Sequence, residues 1–255
     1  KITLLMKKIL SLIIVLVFYT SVHAQYSIRD SSISFPMIGA TFSYEFPAGD
    51  MADRFGPNFS IGGAFQWKLK SNWLVGVEGN FLFSDVVREN NILDSYKTPD
   101  GYLIDGAGQF ASVTLSERGM RFNLKAGKIF SFIGPNKNSG LLTSLGVGYL
   151  QHRIYIDTPG SPIPWLEGDK RRGFDRMSSG LFINQFVGYI NFSNKRLVNF
   201  FAGFEFTEGF TKNQRDYNFD TGLKDNKNRT DILIGFKAGW VFPLYKRVAD
   251  KFYID

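Results

Sequence analysis

The 255-residue chain has no cysteine. That excludes disulfides, zinc–thiolate centres and cysteine nucleophiles. Histidine is nearly absent too, at two residues, and only His152 lies beyond the N-terminal segment. Catalytic classes that lean on several histidines are thereby disfavoured. From residue 25 onward no run approaches the roughly 20 consecutive apolar residues of a membrane helix. Nor is there a clustered basic face of the kind that nucleic acid requires, so a nucleic-acid partner is not expected.

What is abundant is aromatic residues, at 16% of the chain, together with 26 glycines. The N-terminal segment reads as a secretion signal spanning residues 1–24. Met6 is its expected start, with residues 1–5 upstream. Lys7 and Lys8 form a positive region, Ile9–Phe18 an apolar stretch too short to span a bilayer, and Val22-His23-Ala24 a small-residue cleavage site. The expected mature chain is therefore residues 25–255. Three of the 30 basic side chains leave with the signal and no acid does, so the formal charge falls from +7 to +4.

Eight stretches of alternating apolar and polar residues follow: Met37–Phe46, Phe59–Leu69, Trp73–Phe83, about Met120–Phe130, Leu141–Ile156, Leu181–Phe192, Leu197–Phe210 and Ile232–Phe242. One face carries large aliphatic and aromatic residues, as in Ile38, Ala40, Phe42, Tyr44 and Phe46. The other carries glycine, small polar residues and charge, as in Gly39, Thr41, Ser43 and Glu45. The faces of Leu181–Phe192 cannot be assigned from alternation. The connections run long, short, long, short, long, short, long. The short ones are Lys70–Asn72, Gly134–Gly140 and Asn194–Arg196. The long ones are Pro47–Asn58, Asp85–Gly119, Asp157–Gly180 and Thr211–Thr230.

This rhythm predicts an all-β fold, an eight-stranded antiparallel transmembrane β-barrel with short periplasmic turns and long extracellular loops in a bacterial outer membrane. A soluble sandwich would turn its apolar faces inward and has little use for so much glycine outside. The loop Asp85–Gly119 leaves a ten-stranded alternative open. Tyr102–Ile104 and Phe110–Leu115 have the pattern of a hairpin, and the expectation is that it stands above the membrane. Residues 245–255 read as a short periplasmic tail of the single barrel domain.

The lumen face should gather Glu45, Lys68, Glu78, Arg121, Lys125, Glu205 and Lys237. Charges in so narrow an interior must pair, so a salt-bridge plug is expected rather than an aqueous pore. Trp67, Trp73 and Trp240 all fall toward the periplasmic ends of their strands, where an aromatic girdle belongs. Three further features have chemical readings. His152, with Ser144 upstream, is the sole candidate for a lipid-modifying enzyme, though no nucleophile elbow accompanies it. Asp216–Gly222 faintly resembles a calcium loop, but its glycine is one place late and Lys227 stands where glutamate is needed. The loop 158–176 joins a Pro-rich stretch ending in Trp165 to a charged segment with Arg171 and Arg172, a candidate contact for protein partners or lipopolysaccharide phosphates. No cofactor or metal is expected.

The chain resembles the small outer-membrane β-barrel proteins of the Bacteroidota. The likeness rests on the signal ending Val22-His23-Ala24-Gln25, the Gly/Phe-rich strands, and the closing run Gly239-Trp240-Val241-Phe242-Pro243-Leu244-Tyr245-Lys246. It implies an outer-membrane location and a non-enzymatic part in a larger assembly of outer-membrane or periplasmic proteins, the type 9 secretion apparatus among them. A competing expectation is a barrel that binds or passes an apolar ligand or lipid through a lateral opening, with a pocket around Leu74, Leu82 and Phe201.

Overall fold

The computed structural model describes Ile28, residues 31–194 and residues 198–245. The expected signal at 1–24, residues 246–255 of the expected tail, and most of the turn at 194–196 lie outside the described residues. Among the described residues ten strands form: β1 (Phe35–Gly49), β2 (Asn58–Lys68), β3 (Trp73–Ser84), β4 (Leu103–Ile104), β5 (Phe110–Ala111), β6 (Thr114–Phe130), β7 (Gly140–Asp157), β8 (Ser178–Phe192), β9 (Asn199–Asn213) and β10 (Asn228–Pro243). Eight of them close a barrel in the order β1-β10-β9-β8-β7-β6-β3-β2, and β4 and β5 form a separate two-stranded ribbon. All neighbouring barrel pairs are antiparallel. The seam between the first and last strands runs unbroken from Met37↔Pro243 to Gly49↔Asp231.

The ten-stranded alternative is thereby settled as eight, with the hairpin outside the barrel. The loop that holds it is shorter than the sequence suggests. Residues 114–119 belong to β6, where Thr114↔Asp157 and Gly119↔His152 extend the ladder with β7. Their alternation is hidden by charge on both faces, since Glu117 points in while Arg118 lies on the outward side.

The barrel is inverted relative to a water-soluble one. Outward residues such as Phe42, Ile61, Phe65, Phe122, Leu145, Val147 and Phe204 are exposed, and inward residues such as Thr41, Ser43, Ser60 and Asn123 are buried. Two apolar clusters stopper the interior. At the turn end, Ile28, Phe35, Met37, Leu74, Ile129, Leu142, Phe186, Ile190, Phe192 and Val241 pack together. The segment leading into β1 crosses this end, pinned where the Asn138 side-chain amide donates to the carbonyls of Ile28 and Ser31 (2.9 Å each). At the loop end, Leu82, Leu150, Phe182 and Leu233 from the strands meet Met51, Phe55, Ile92, Leu103, Ile163, Leu166 and Phe174 from the loops.

The β8 faces resist sequence reading because both are apolar. Leu181, Ile183 and Val187 face out while Phe182, Phe186 and Ile190 face in. Phe186 fits only because Gly188 and Gly203 leave room beside its ring. A Cβ on Gly203 would lie 2.3 Å from the Val187 carbonyl oxygen and 2.9 Å from the Phe186 ring. We expect Gly203→Leu to overpack this floor and cost about 1–3 kcal/mol, read as a lower urea midpoint for the refolded barrel, with no such loss for a conservative change at outward Phe204.

Candidate functional site

Between the two stoppers lies a run of charge. Glu45 on β1 accepts from Arg121 on β6 (2.8 Å), and Arg121 donates its other terminal nitrogen to Glu205 on β9 (2.8 Å). Glu205 accepts from Lys237 on β10 (2.7 Å). Lys237 also donates to Glu78 on β3, which accepts from Lys125 on β6 at 2.9 Å. Six side chains thus alternate in sign along one continuous chain, and the group is neutral. Hydroxyls and amides fill the gaps: Asn80 donates to Glu78 (2.7 Å) and accepts from Thr41 (2.7 Å), while Arg121 also reaches Ser60 at 3.3 Å.

The seventh residue expected here, Lys68, is elsewhere. It sits at the bottom of β2, where its ammonium donates to Ser32 Oγ (3.1 Å) and the Ile33 carbonyl (3.0 Å) and lies over the Phe35 ring. Its inward parity is as expected, but its position at the strand end puts it beside the incoming chain rather than the mid-lumen acids. Truncating Arg121 leaves buried Glu45 without a cation and Glu205 with Lys237 alone. We expect Arg121→Ala to lose roughly 3–5 kcal/mol, the usual effect of breaking a buried pair from one side, and Arg121→Ala with Glu45→Gln and Glu205→Gln to recover part of it in the same urea titration.

Above this chain is a second polar cluster that sequence reading missed. His152 Nε2 donates to Asp231 Oδ2 at 2.8 Å, and Thr211 Oγ1 donates to the same oxygen at 2.5 Å. Arg54 descends from the first loop to Asp231 Oδ1 (3.4 Å) and Ser178 Oγ (3.0 Å). Nearby, Asn58 donates to both carboxylate oxygens of Glu117, at 3.1 and 3.3 Å. Asp231 could have been found by extending the last alternating stretch by one residue. Arg54 could not, since nothing in a loop sequence says that it folds back into the mouth.

This geometry bears on His152. The ring is fully buried beneath Phe55, which meets it edge-on at 5.6 Å. Its Nδ1 has no partner among the described residues, and no hydroxyl there hydrogen-bonds the ring. The Asp–His half of a triad is present, but the expected Ser144 is on the turn-end side, lining a different cavity with Leu74, Lys125, Phe186 and Phe201. That cavity, about 20 Å³, has room for a single water. Leu82 is not part of it but lies in the loop-end cluster. The pocket expected around Leu74, Leu82 and Phe201 is therefore divided between opposite ends of the barrel.

The tryptophans separate into two roles. Trp67, Trp73 and Trp240 are all about half exposed on the outer wall at the turn end, with Trp67 donating to Ser34 Oγ at 3.0 Å and Lys128 placed over Trp73. Trp165 is not the exposed loop anchor that its sequence context suggests. It stacks on Tyr96 (4.4 Å) and meets Phe174 edge-on, half-buried against the loop-end cluster. Arg171 is likewise turned inward, donating to the Leu166 carbonyl (2.6 Å) and Thr158. Arg172 stays exposed beside Asp169.

The loops are tied to one another by ion pairs. Arg176 donates to both carboxylate oxygens of Asp220 (2.8 and 2.5 Å) and to Glu89 (2.8 Å), joining three loops. It does so from a left-handed backbone conformation, φ +50°, which a bulky residue keeps only where its surroundings hold it. Asp220, part of the stretch resembling a calcium loop, thus has its carboxylate engaged by arginine. Burial works against its charged form, but the Arg176 hydrogen bonds outweigh that and hold its pKa below the usual carboxylate range. A depressed acid stabilises above its unfolded value, near 3.9, and that stability is lost as pH falls through the folded one. Hydrogen-exchange protection of residues 214–227, corrected for intrinsic rates, should hold from pH 7 to about 5 and fall below about 4; Asp220→Asn should remove the step.

Neither a protein-family model nor a curated protein matches the chain. Among solved structures, it is similar to Neisserial surface protein A at 13% identity, over 81% of this chain and 96% of that one, with a TM-score of 0.42. It is also similar to the N-terminal β-barrel domain of Pseudomonas aeruginosa OprF at 12% identity, over 81% and 97% of the two chains, with a TM-score of 0.37. The Yersinia pestis attachment invasion locus protein Ail aligns at 11% identity, over 82% and 99%, with a TM-score of 0.34. Likeness at this level carries no argument about activity.

Proposed function

We propose that this chain is an integral outer-membrane β-barrel with a plugged lumen, serving as a non-enzymatic scaffold or accessory subunit of an outer-membrane protein complex. The membrane part of the reading rests on the outer wall. An apolar outer wall, interrupted by Gln185 on β8 and Glu208 on β9, with a tryptophan girdle at one end, is unfavourable in water and suits lipid. The charges of the mid-lumen chain face inward, away from that wall.

The scaffold part rests on one observation: the interior is filled from end to end while the loops build a structure of their own. Ion pairs occupy the middle of the lumen and apolar clusters close both ends. Eight strands leave an interior just wide enough for side chains, and here side chains fill it. The loops share a common core and cross-loop ion pairs, which preorganises a surface. Since Trp165 and Arg171 help to build that core, the contact surface is expected at exposed Tyr102, Phe110, Arg172 and Leu223. Arg172 suits a lipopolysaccharide phosphate, and the aromatic pair suits a protein neighbour. Participation in a secretion machine such as the type 9 apparatus is the finer form of this reading and rests only on the resemblance to small Bacteroidota barrels carried by the signal ending, the Gly/Phe-rich strands and the closing run.

Native purification in mild detergent tests it. A tagged chain should leave the outer membrane with stoichiometric protein partners, and their identities would name the process. A monomer of barrel mass carrying only lipid would sink the scaffold reading.

A further inference from the structure

Every buried acid of the lumen but one is matched by a cation among the described residues, and buried Lys68, which has no acidic partner there, lies at the opposite, turn end of the barrel. Glu45, Glu78 and Glu205 are matched by Arg121, Lys125 and Lys237, and Asp231 is matched by Arg54. Glu117 is completely buried, yet among the described residues no cation pairs with it, and its carboxylate accepts only from Asn58. An uncompensated buried carboxylate is among the costliest things a protein interior can hold.

The surroundings of Glu117 are rich in oxygen. Asn58, which donates to Glu117, stands directly opposite Glu45 in the β1–β2 ladder. With its amide nitrogen on Glu117, Asn58 is left with an Oδ1 that has no partner among the described residues. Glu45 spends Oε1 on Arg121, and its Oε2 has no partner there either. All three residues are at most 1% exposed. Orphaned acceptors next to an unbalanced negative charge call for a positive species that accepts lone pairs.

We propose that Glu117, Asn58 and Glu45 hold a small hard cation, monovalent by the charge count and of sodium's class. The Glu117 carboxylate, Asn58 Oδ1 and Glu45 Oε2 are its protein ligands, all oxygen, as hard cations require. The ion ties β6 to β1 and β2 just below the loop-end cluster, and it enters when the barrel closes. Sequence reading gave no sign of it, because Glu117 falls in what reads as a loop.

The test is refolding of the full chain into choline chloride, with sodium chloride exchanged in at constant ionic strength. The wild-type unfolding midpoint should rise saturably, by roughly 5 °C at saturation for a chain of this size. Glu117→Gln should show no sodium dependence. Barrel refolded in sodium and exchanged into choline should retain about one sodium per chain by atomic emission, a measurement that does not depend on the variant folding. Equal wild-type midpoints in the two salts, or no retained sodium, would overturn the proposal and assign the positive charge to a proton on Glu117.

Discussion

Six charges in a space that excludes water must neutralise one another, and the rest of this barrel is arranged round that requirement. The Glu45–Arg121–Glu205–Lys237–Glu78–Lys125 chain draws on five strands. Each link is short, and the four inner members, Arg121, Glu205, Lys237 and Glu78, each lie between two opposite charges. Low dielectric strengthens such pairs and equally punishes any lone member. The strand register is therefore constrained twice: by the ladder, and by the need to bring acid opposite base. A slip of one residue would send every one of these charges to the outer wall.

The two apolar clusters follow from the same requirement. A column of ion pairs open to water at either end would exchange partners with solvent and lose its definition. At the turn end, inward aromatics of β8 and β9 and the segment before β1 close the column. At the loop end, the six inward barrel-strand residues Leu82, Leu150, Ile154, Ile156, Phe182 and Leu233 form only part of the stopper, and the loops supply the remainder. That is why the long loops are not ornaments on a finished barrel. Phe55, Ile92, Ile163, Leu166 and Phe174 are core residues that happen to lie outside the strands, and Arg54 carries a loop's charge back into the mouth.

The strands were legible in sequence because period-two alternation survives wherever one face meets lipid-like surroundings and the other a polar interior. Six of the seven expected lumen charges came together for the same reason. Legibility failed where both faces are alike. In β8 both are apolar, and in residues 114–119 both carry charge, so the parity of Phe186 and Glu117 had no contrast to show it. Lys68 kept its parity but not its neighbours, since parity says nothing of height along the barrel. Loop residues were the least legible: Trp165 reads as exposed from its Pro-rich context, whereas Tyr96 from another loop and Phe174 from further along its own bury it by half.

The seam between β1 and β10 has a consequence for how the molecule is made. The contacts that define the interior are extremely non-local: Lys237 reaches Glu78 across 159 positions, and Arg54 reaches Asp231 across 177. Such topologies close slowly, because chain entropy is spent before the contacts repay it. Until β10 arrives, β1 presents a long free edge with Phe42, Tyr44 and Phe46 along one side, the kind of edge that pairs with the wrong chain. Until then Lys237 does not bridge Glu205 to Glu78. The nascent chain is thus most vulnerable at the moment when nearly all of it has been synthesised, and safe passage to closure depends on something that shields a strand edge rather than on the stability of the finished barrel.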